Sequence, residues 1–255
     1  MIYPNGEKQK IMEILIEVRR QHSPADAPYY QTIKYQAAND EENVATVLRN
    51  LNATPELRDT EGREVGEIHW QCSCLQKKCG ACAMLINGLP RLACDTKLKD
   101  CRENRLLRLE PLKKFPIVRD LMVDRSSMMK NLRDIANWLE REAQLSEKVE
   151  ELAYDASRCL QCGCCLEVCP NFEVGGKFYG AAAFVPASRV LSELPKARKY
   201  QLVKRYKKRV YSGCGKSLAC HDICPVGIDV ESKLVNSNAV AVWRRFFSSN
   251  KEENP

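Results

Sequence analysis

The segment "CLQCGCCLEVCP", residues 159–170, decides how the C-terminal half of this chain folds. Its spacing, C-x2-C-x2-C-x3-C-P, uses Cys159, Cys162, Cys165 and Cys169, and it is typical of a loop that wraps iron-sulfur clusters. In a two-cluster protein the fourth cysteine of such a run holds the other cluster. The spacing therefore predicts a partner run elsewhere in the chain.

The partner run is "CGKSLACHDICP", residues 214–225, which repeats the register with Ser217 in place of one cysteine. A four-iron cube needs one ligand for each iron, so four thiolates predict a 4Fe-4S cluster and three predict a 3Fe-4S cluster with Ser217 at its vacant corner. A serine oxygen as fourth ligand remains an alternative, although it is a harder donor than a thiolate. The crossed sets are Cys159, Cys162, Cys165 and Cys224 for 4Fe-4S, and Cys169, Cys214 and Cys220 for 3Fe-4S. Cys164, wedged between two ligands, is interpreted as a spectator.

A third set of thiols lies earlier in the chain, in and after the loop "CLQKKCGAC". The spacing C-x4-C-x2-C, followed later by another cysteine, is the plant-type pattern for a 2Fe-2S cluster. A four-cysteine zinc site is the alternative, but zinc ribbons use two C-x2-C hooks and this set has one. Cys72 and Cys101 complete no such spacing and are interpreted as ordinary thiols. The predicted 2Fe-2S ligands are Cys74, Cys79, Cys82 and Cys94.

Composition limits the classes of protein that this chain can be. With 255 residues, 14 cysteines and a polar start, "MIYPNGEKQK", it resembles neither a small disulfide scaffold nor a secreted precursor, which favours metal binding in a reducing compartment. No stretch approaches the roughly 18 apolar residues of a spanning helix, so we expect no membrane crossing. Residues 196–209 hold eight basic and no acidic side chains, and the alternatives are a solvated helix face or a surface that meets phosphates. Since no groove-reading motif accompanies them, we expect no nucleic-acid partner.

Hydrophobic periodicity divides the chain into two predicted domains. Alternating apolar residues from Met12 to Val18 and from Tyr29 to Tyr35 predict strands, and Asn87-Gly88 between apolar runs predicts a hairpin that returns Cys94 towards Cys82. Beyond residues 111–116 the period becomes helical, for example from Met128 through Ile135 to Leu139. We therefore predict a 2Fe-2S domain over residues 1–113 and a helical domain with the other two clusters over residues 114–255.

Four blocks of the sequence resemble the iron-sulfur subunit of succinate dehydrogenase and fumarate reductase, respiratory complex II. They are "CGACAMLINGLPRLAC", "LEPLKKFPIVRDLMVDRS", "SRCLQCGCCLEVCPN" with the later "FYGAAAFVPASRV", and "SGCGKSLACHDICP". The resemblance implies an α+β fold, with an N-terminal β-grasp plant-type ferredoxin domain followed by an all-helical bacterial ferredoxin-like (7Fe) domain. It also implies no catalytic residues in this chain.

The resemblance further implies that this chain carries electrons between two partner subunits. Electrons would pass from the FAD of a flavoprotein through the 2Fe-2S, 4Fe-4S and 3Fe-4S clusters to a quinone near the 3Fe-4S centre, held at a membrane anchor. The chain would then be peripheral on the cytoplasmic face of a bacterial inner membrane. Val174 and Gly215 stand where ubiquinone-linked members have Trp and His, which indicates a menaquinone-linked type with haem b in a cytochrome b anchor.

Two rival functions stay open from the sequence. One is a zinc-stabilised nucleic-acid module that uses residues 196–209. The other is the iron-sulfur subunit of a different flavoprotein system, a thiol-dependent fumarate reductase or a glycolate-type oxidase. Those systems usually lack either the plant-type centre or the three-cysteine second site, which argues against them.

Overall fold

The computed structural model describes residues 12–100, 105–139, 142, 147–193 and 200–243. The chain divides into two compact units between Asp124 and Arg125. The described part of the first unit consists of β-sheet, one α-helix and a short 3-10 helix, and the described part of the second is helical. The proposed domain boundary at residues 113 and 114 stays a prediction, since the division by contacts falls later.

A five-stranded sheet forms the first unit, in the order β2-β1-β5-β3-β4. Its central pair, β1 and β5, is parallel, and the other neighbours are antiparallel. A two-stranded hairpin of β6 and β7 follows it. The strands are β1 (Met12–Arg20), β2 (Tyr29–Ala37), β3 (Ala83–Ile86), β4 (Leu89–Leu92), β5 (Leu106–Glu110), β6 (Ile117–Arg119) and β7 (Met122–Val123).

The predicted alternation in β1 and β2 is confirmed. Ile14, Ile16 and Val18 are buried, and Ile16 pairs across the ladder with the buried Ile33. Burying one face of each strand removes apolar surface from water and selects this register, since a shift of one residue would turn the same side chains outward.

Helix α1 (Val44–Ala53) also follows from its sequence. The side chain of Asn43 caps it by accepting a hydrogen bond from the backbone N–H of Thr46 at 2.8 Å. Val47, Leu48 and Leu51 are buried on one face of the helix, which anchors the helix in the unit.

The Asn87-Gly88 turn joins β3 to β4 as the sequence predicts. Both residues have positive φ, 50° and 78°, as a two-residue hairpin turn of the primed type requires. The Asn87 side chain accepts a hydrogen bond from the Arg108 backbone N–H at 2.8 Å, which ties the turn to β5. After the hairpin, the backbone N–H of Ala93 donates to the Cys82 carbonyl at 3.1 Å. The hairpin therefore returns Cys94 to the neighbourhood of Cys82.

The second unit packs its helices around α5, whose buried face is rich in alanine. Small side chains allow α3 and α7 to approach α5 closely. No helix within the described ranges is long and apolar enough to cross a membrane. The helices are α2 (Ser126–Asp134), α3 (Glu147–Ser157), α4 (Cys164–Glu167), α5 (Ala181–Glu193), α6 (Tyr200–Arg209) and α7 (Val230–Asn238), which continues into a π-helical turn, Ala239–Trp243.

Helix α2 is shorter than its apolar period suggests. The spacing of Met128, Leu132, Ile135 and Leu139 extends the helix to Leu139, but it ends at Asp134. Ala136 adopts the left-handed conformation, with φ 57°, and a residue in that conformation stops the helical hydrogen bonds.

Candidate metal centres

Backbone amides surround the thiols of the plant-type loop. The N–H groups of Gln76 and Lys78 donate to Sγ of Cys74 at 3.3 Å and 3.2 Å, and that of Lys77 donates to Sγ of Cys94 at 3.4 Å. The two hydrogen bonds to Cys74 lower the pKa of its thiol to about 7. A donor set of thiols held by inward-pointing amides fits an iron-sulfur cluster, whose sulfurs accept such hydrogen bonds.

The loop can aim its amides inward because several residues take the left-handed conformation. Leu75, Lys77 and Gly80 have φ of 54°, 57° and 72°. Alternation of right- and left-handed residues turns successive N–H groups to the same side of the chain, which makes an anion-binding concavity. An anionic cluster is the kind of group that such a concavity holds.

All four predicted 2Fe-2S ligands lie in one region. The thiol of Cys74 is hydrogen-bonded with that of Cys79, and Cys82 interacts with both Cys79 and Cys94. Burial raises the pKa of Cys82 to about 12, whereas Cys79 is exposed. The set therefore spans the depth of the loop from the core to the surface.

A buried ion pair holds the backbone just before this loop. Arg20 and Asp120 are 2% and 0% exposed, and Nε of Arg20 lies 3.2 Å from Oδ1 of Asp120. The same carboxylate accepts hydrogen bonds from the backbone N–H groups of Gln21 and His69, each at 3.0 Å. Burial opposes ionisation, but these hydrogen bonds and the guanidinium outweigh it and keep the pKa of Asp120 below its usual range. Sequence reasoning missed both residues, since nothing local pairs positions so far apart.

The first thiol set of the helical unit lines one apolar pocket. Cys159, Cys162, Cys165 and Cys224 all contribute to its wall, together with small residues of α5. The thiol of Cys159 interacts electrostatically with those of Cys162 and Cys224. The thiol of Cys165 interacts with these three thiols as well. The structure thus brings Cys224 to the first run although it comes from the second, as the crossed pattern requires.

The side chain of Gln161 supports this pocket. Its amide Nε2 donates to Sγ of Cys159 at 3.2 Å and to the Ala182 carbonyl at 2.9 Å. Gln161 therefore connects the first cysteine of the run to α5. The spacing of the cysteines gives no signal for this residue.

The second thiol set also crosses between the runs. Cys220 interacts with Cys169 and Cys214, and burial raises the pKa of Cys220 to about 11. Cys165 of the first set interacts with Cys220 as well, so the two sets are neighbours. Ser217 is exposed, between residues that adopt left-handed conformations.

The remaining cysteines differ in their surroundings. Cys164 is fully buried in α4, and its hydrogen bond with Cys162 lowers the pKa of Cys162 to about 7. Cys72 is exposed, and Cys101 lies outside the described residues. The described cysteines are free thiols. Among the described residues, no three Cys, His, Asp or Glu are arranged to hold a single metal ion. The cluster ligand sets stay predictions that rest on spacing and on the contacts above.

Comparisons with known proteins agree on both units. Residues 15–130 match the model of a 2Fe-2S iron-sulfur cluster binding domain, and residues 155–228 match that of a 4Fe-4S dicluster domain. The succinate dehydrogenase iron-sulfur subunit of Bacillus subtilis is 33% identical over 82% of this chain and 86% of that protein. The fumarate reductase iron-sulfur subunit of Wolinella succinogenes is 30% identical over 83% of this chain and 89% of that protein. A chain of the Mycobacterium smegmatis Sdh1 complex in the apo form superposes with a TM-score of 0.72 at 20% identity, over 92% of this chain and 98% of that one.

The two units and their thiols define an electron-transfer protein with a 2Fe-2S domain and a 4Fe-4S dicluster domain. The chain belongs to the family of iron-sulfur subunits of succinate dehydrogenase and fumarate reductase. It is therefore an electron-carrying subunit of an oxidoreductase complex. This membership favours electron transfer over a zinc-stabilised nucleic-acid module.

Proposed function

We propose that this chain relays electrons between the FAD of a flavoprotein subunit and a membrane quinone in a succinate dehydrogenase or fumarate reductase complex. Relatives that bear both names match it over more than four fifths of their length, which supports either direction of transfer. The observation that carries the proposal is the crossing of thiols between the two runs, because Cys224 lies near the thiols of the first run and Cys169 lies near those of the second.

Three thiol sets would hold three clusters, and such clusters supply one-electron steps. The backbone amides of the plant-type loop would orient its thiolates, and the apolar wall of the pocket in the helical unit would exclude water. The sets are Cys74, Cys79, Cys82 and Cys94 for 2Fe-2S; Cys159, Cys162, Cys165 and Cys224 for 4Fe-4S; and Cys169, Cys214 and Cys220, with Ser217 at the vacant corner, for 3Fe-4S.

We also propose the finer fold names. A sheet of order β2-β1-β5-β3-β4 with a parallel central pair supports a β-grasp plant-type ferredoxin domain. The crossed cysteine runs in an otherwise helical unit support a bacterial ferredoxin-like (7Fe) domain.

The proposed partners are a flavoprotein and a cytochrome b anchor with haem b, and the proposed acceptor is menaquinone. Val174 and Gly215 support this choice, because neither offers the indole or imidazole of ubiquinone-linked members.

The basic helix α6 fits a solvated face better than a nucleic-acid surface. Asp134 binds two of its cations, accepting at its backbone carbonyl from Arg205 at 2.7 Å and at Oδ2 from Arg209 at 3.0 Å.

We propose attachment to the cytoplasmic face of a bacterial inner membrane through apolar docking on the anchor, and not through charge alone, because salt screens charge. The chain should stay with membranes in high salt. If the protein still sediments with membranes from cells that lack the anchor subunit, and salt then removes it from those membranes, it is attached through lipid charge.

The test of the function compares two acceptors in membranes that contain the full complex. With Cys79→Ser, succinate should still reduce a dye that accepts electrons at the flavin, but quinone reduction should fall to background. Cys72→Ser is the matched control and should support both reactions. Undiminished quinone reduction by Cys79→Ser would refute the relay.

A further inference from the structure

The segment after the first cysteine run lies along the chain that leads into Cys214. The side-chain amide of Asn171, two residues after Cys169, donates to the Gly213 carbonyl at 2.8 Å. Further along, the backbone N–H of Tyr179 donates to the Arg209 carbonyl at 2.9 Å. Two hydrogen bonds therefore join the region after the first run to the region before the second.

Both glycines that flank Cys214 are closely approached by this same segment. A Cβ atom at Gly213 would lie 2.7 Å from Cβ and Cδ2 of Phe178, and one at Gly215 would lie 2.8 Å from Nδ2 of Asn171. Neither glycine is among the residues with positive φ, so the backbone does not require glycine at these positions. Glycine is required at both positions by the lack of space, because Phe178 fills the space beside Gly213 and Asn171 fills the space beside Gly215.

The two contacts differ in how easily they yield. Phe178 is 8% exposed and meets Gly213 with its Cβ atom, which cannot move without the backbone. Asn171 is exposed and meets Gly215 with the end of its side chain. The Phe178 contact is therefore rigid. The hydrogen bond from Asn171 to the Gly213 carbonyl, called the clamp below, can be displaced by a side chain at position 215.

We propose that Asn171 is a positioning residue for Cys214, which it holds at the edge of the three-thiol site shared with Cys169 and Cys220. This inference rests on the proposed 3Fe-4S assignment. A three-iron site has one protein ligand fewer than a four-iron site, so ligation restrains its loop less. Ser217 and its neighbours contribute no thiolate, and the clamp from Asn171 supplies part of the missing restraint.

The proposal couples two positions that the sequence does not connect. Because the Asn171 amide occupies the space beside residue 215, a methyl group there should push the amide away from the Gly213 carbonyl. Gly215→Ala should therefore copy the effect of Asn171→Ala. Once Asn171 is alanine, the space is open and Gly215→Ala should add little.

The test uses the purified complex and measures the oxidised 3Fe-4S paramagnetic signal, with the reduced 2Fe-2S signal of the same sample as reference. The half-life of the 3Fe-4S signal under air is the readout. Loss of one hydrogen bond of this kind should shorten it by about 3- to 10-fold in Asn171→Ala. Asn171→Asp keeps the size of the side chain but cannot donate the hydrogen bond to Gly213, so it should shorten the half-life as Asn171→Ala does. Glu173→Ala, an exposed change two residues away, is the control and should leave the half-life unchanged.

The outcomes separate the clamp from the cluster assignment. A wild-type complex without a 3Fe-4S signal would overturn the assignment of the site itself. A normal wild-type signal with unchanged half-lives in Asn171→Ala and Asn171→Asp would overturn the clamp alone, as would equal shortening of the 3Fe-4S and 2Fe-2S signals. An effect of Gly215→Ala that is as large in the Asn171→Ala background as in the wild type would also overturn it.

Discussion

Replacing Asp120 with alanine should destabilise the sheet unit by about 3 kcal/mol, the lower end of the range for breaking a buried ion pair. The carboxylate accepts three hydrogen bonds, and its removal leaves the guanidinium of Arg20, 2% exposed, without a counter-ion. The lower end applies because Arg20 keeps the Gln31 side chain at 3.0 Å and the Glu67 carbonyl at 2.8 Å.

Hydrogen-exchange mass spectrometry on the complete complex measures this change separately in each unit. Since 1.4 kcal/mol corresponds to a factor of ten, the slowest amides of β1 should exchange about 100-fold faster in Asp120→Ala, and those of α5 should not change. Glu61→Ala, which removes one partner of an exposed ion pair with Arg63, is the control and should cost less than about 1 kcal/mol. Exchange in β1 that matches the wild type would refute the importance of the buried pair.

Three further predictions concern the helical unit and the ligand sets. Ser217→Cys should convert the 3Fe-4S signal into that of a 4Fe-4S cluster, with one more iron per chain on metal analysis. Cys79→Ser should remove the 2Fe-2S signal, whereas Cys72→Ser and Cys164→Ala should leave three centres; loss of a centre on changing Cys72 would mean a wrong ligand in the first loop. Gly180→Ala should destabilise by about 2–4 kcal/mol and lower the melting temperature of the helical unit, because φ is 65° there and a Cβ atom would collide with Leu166. An unchanged melting temperature would contradict that packing.

Cysteine spacing indicated which thiols lie near one another in the structure, whereas their roles as cluster ligands stay predictions. The crossing of Cys169 and Cys224 was also predictable, since a run of this pattern shares its fourth ligand. The residues that support the thiols were not predictable. Arg20 contacts Asp120 at a separation of 100 residues, and Asn171 contacts Gly213 at 42, so no local period or spacing marks them.

Strand alternation and turn chemistry predicted the sheet well, because a buried face repeats every two residues and Asn-Gly fits one kind of turn. The end of α2 was missed, because the left-handed conformation of Ala136 leaves no mark on the apolar period. The parallel pairing of β1 with β5 depends on contacts between distant segments, and alternation within one strand does not specify them.

Electron paramagnetic resonance of the purified complex during a redox titration tests the relay through three centres most directly. We expect a 2Fe-2S signal and a 4Fe-4S signal on reduction, and a 3Fe-4S signal in the oxidised state with the highest midpoint potential of the three. Iron and sulfide contents that correspond to two intact cubes and one 2Fe-2S centre, with no signal in the oxidised state, would contradict the three-thiolate site at Cys169, Cys214 and Cys220.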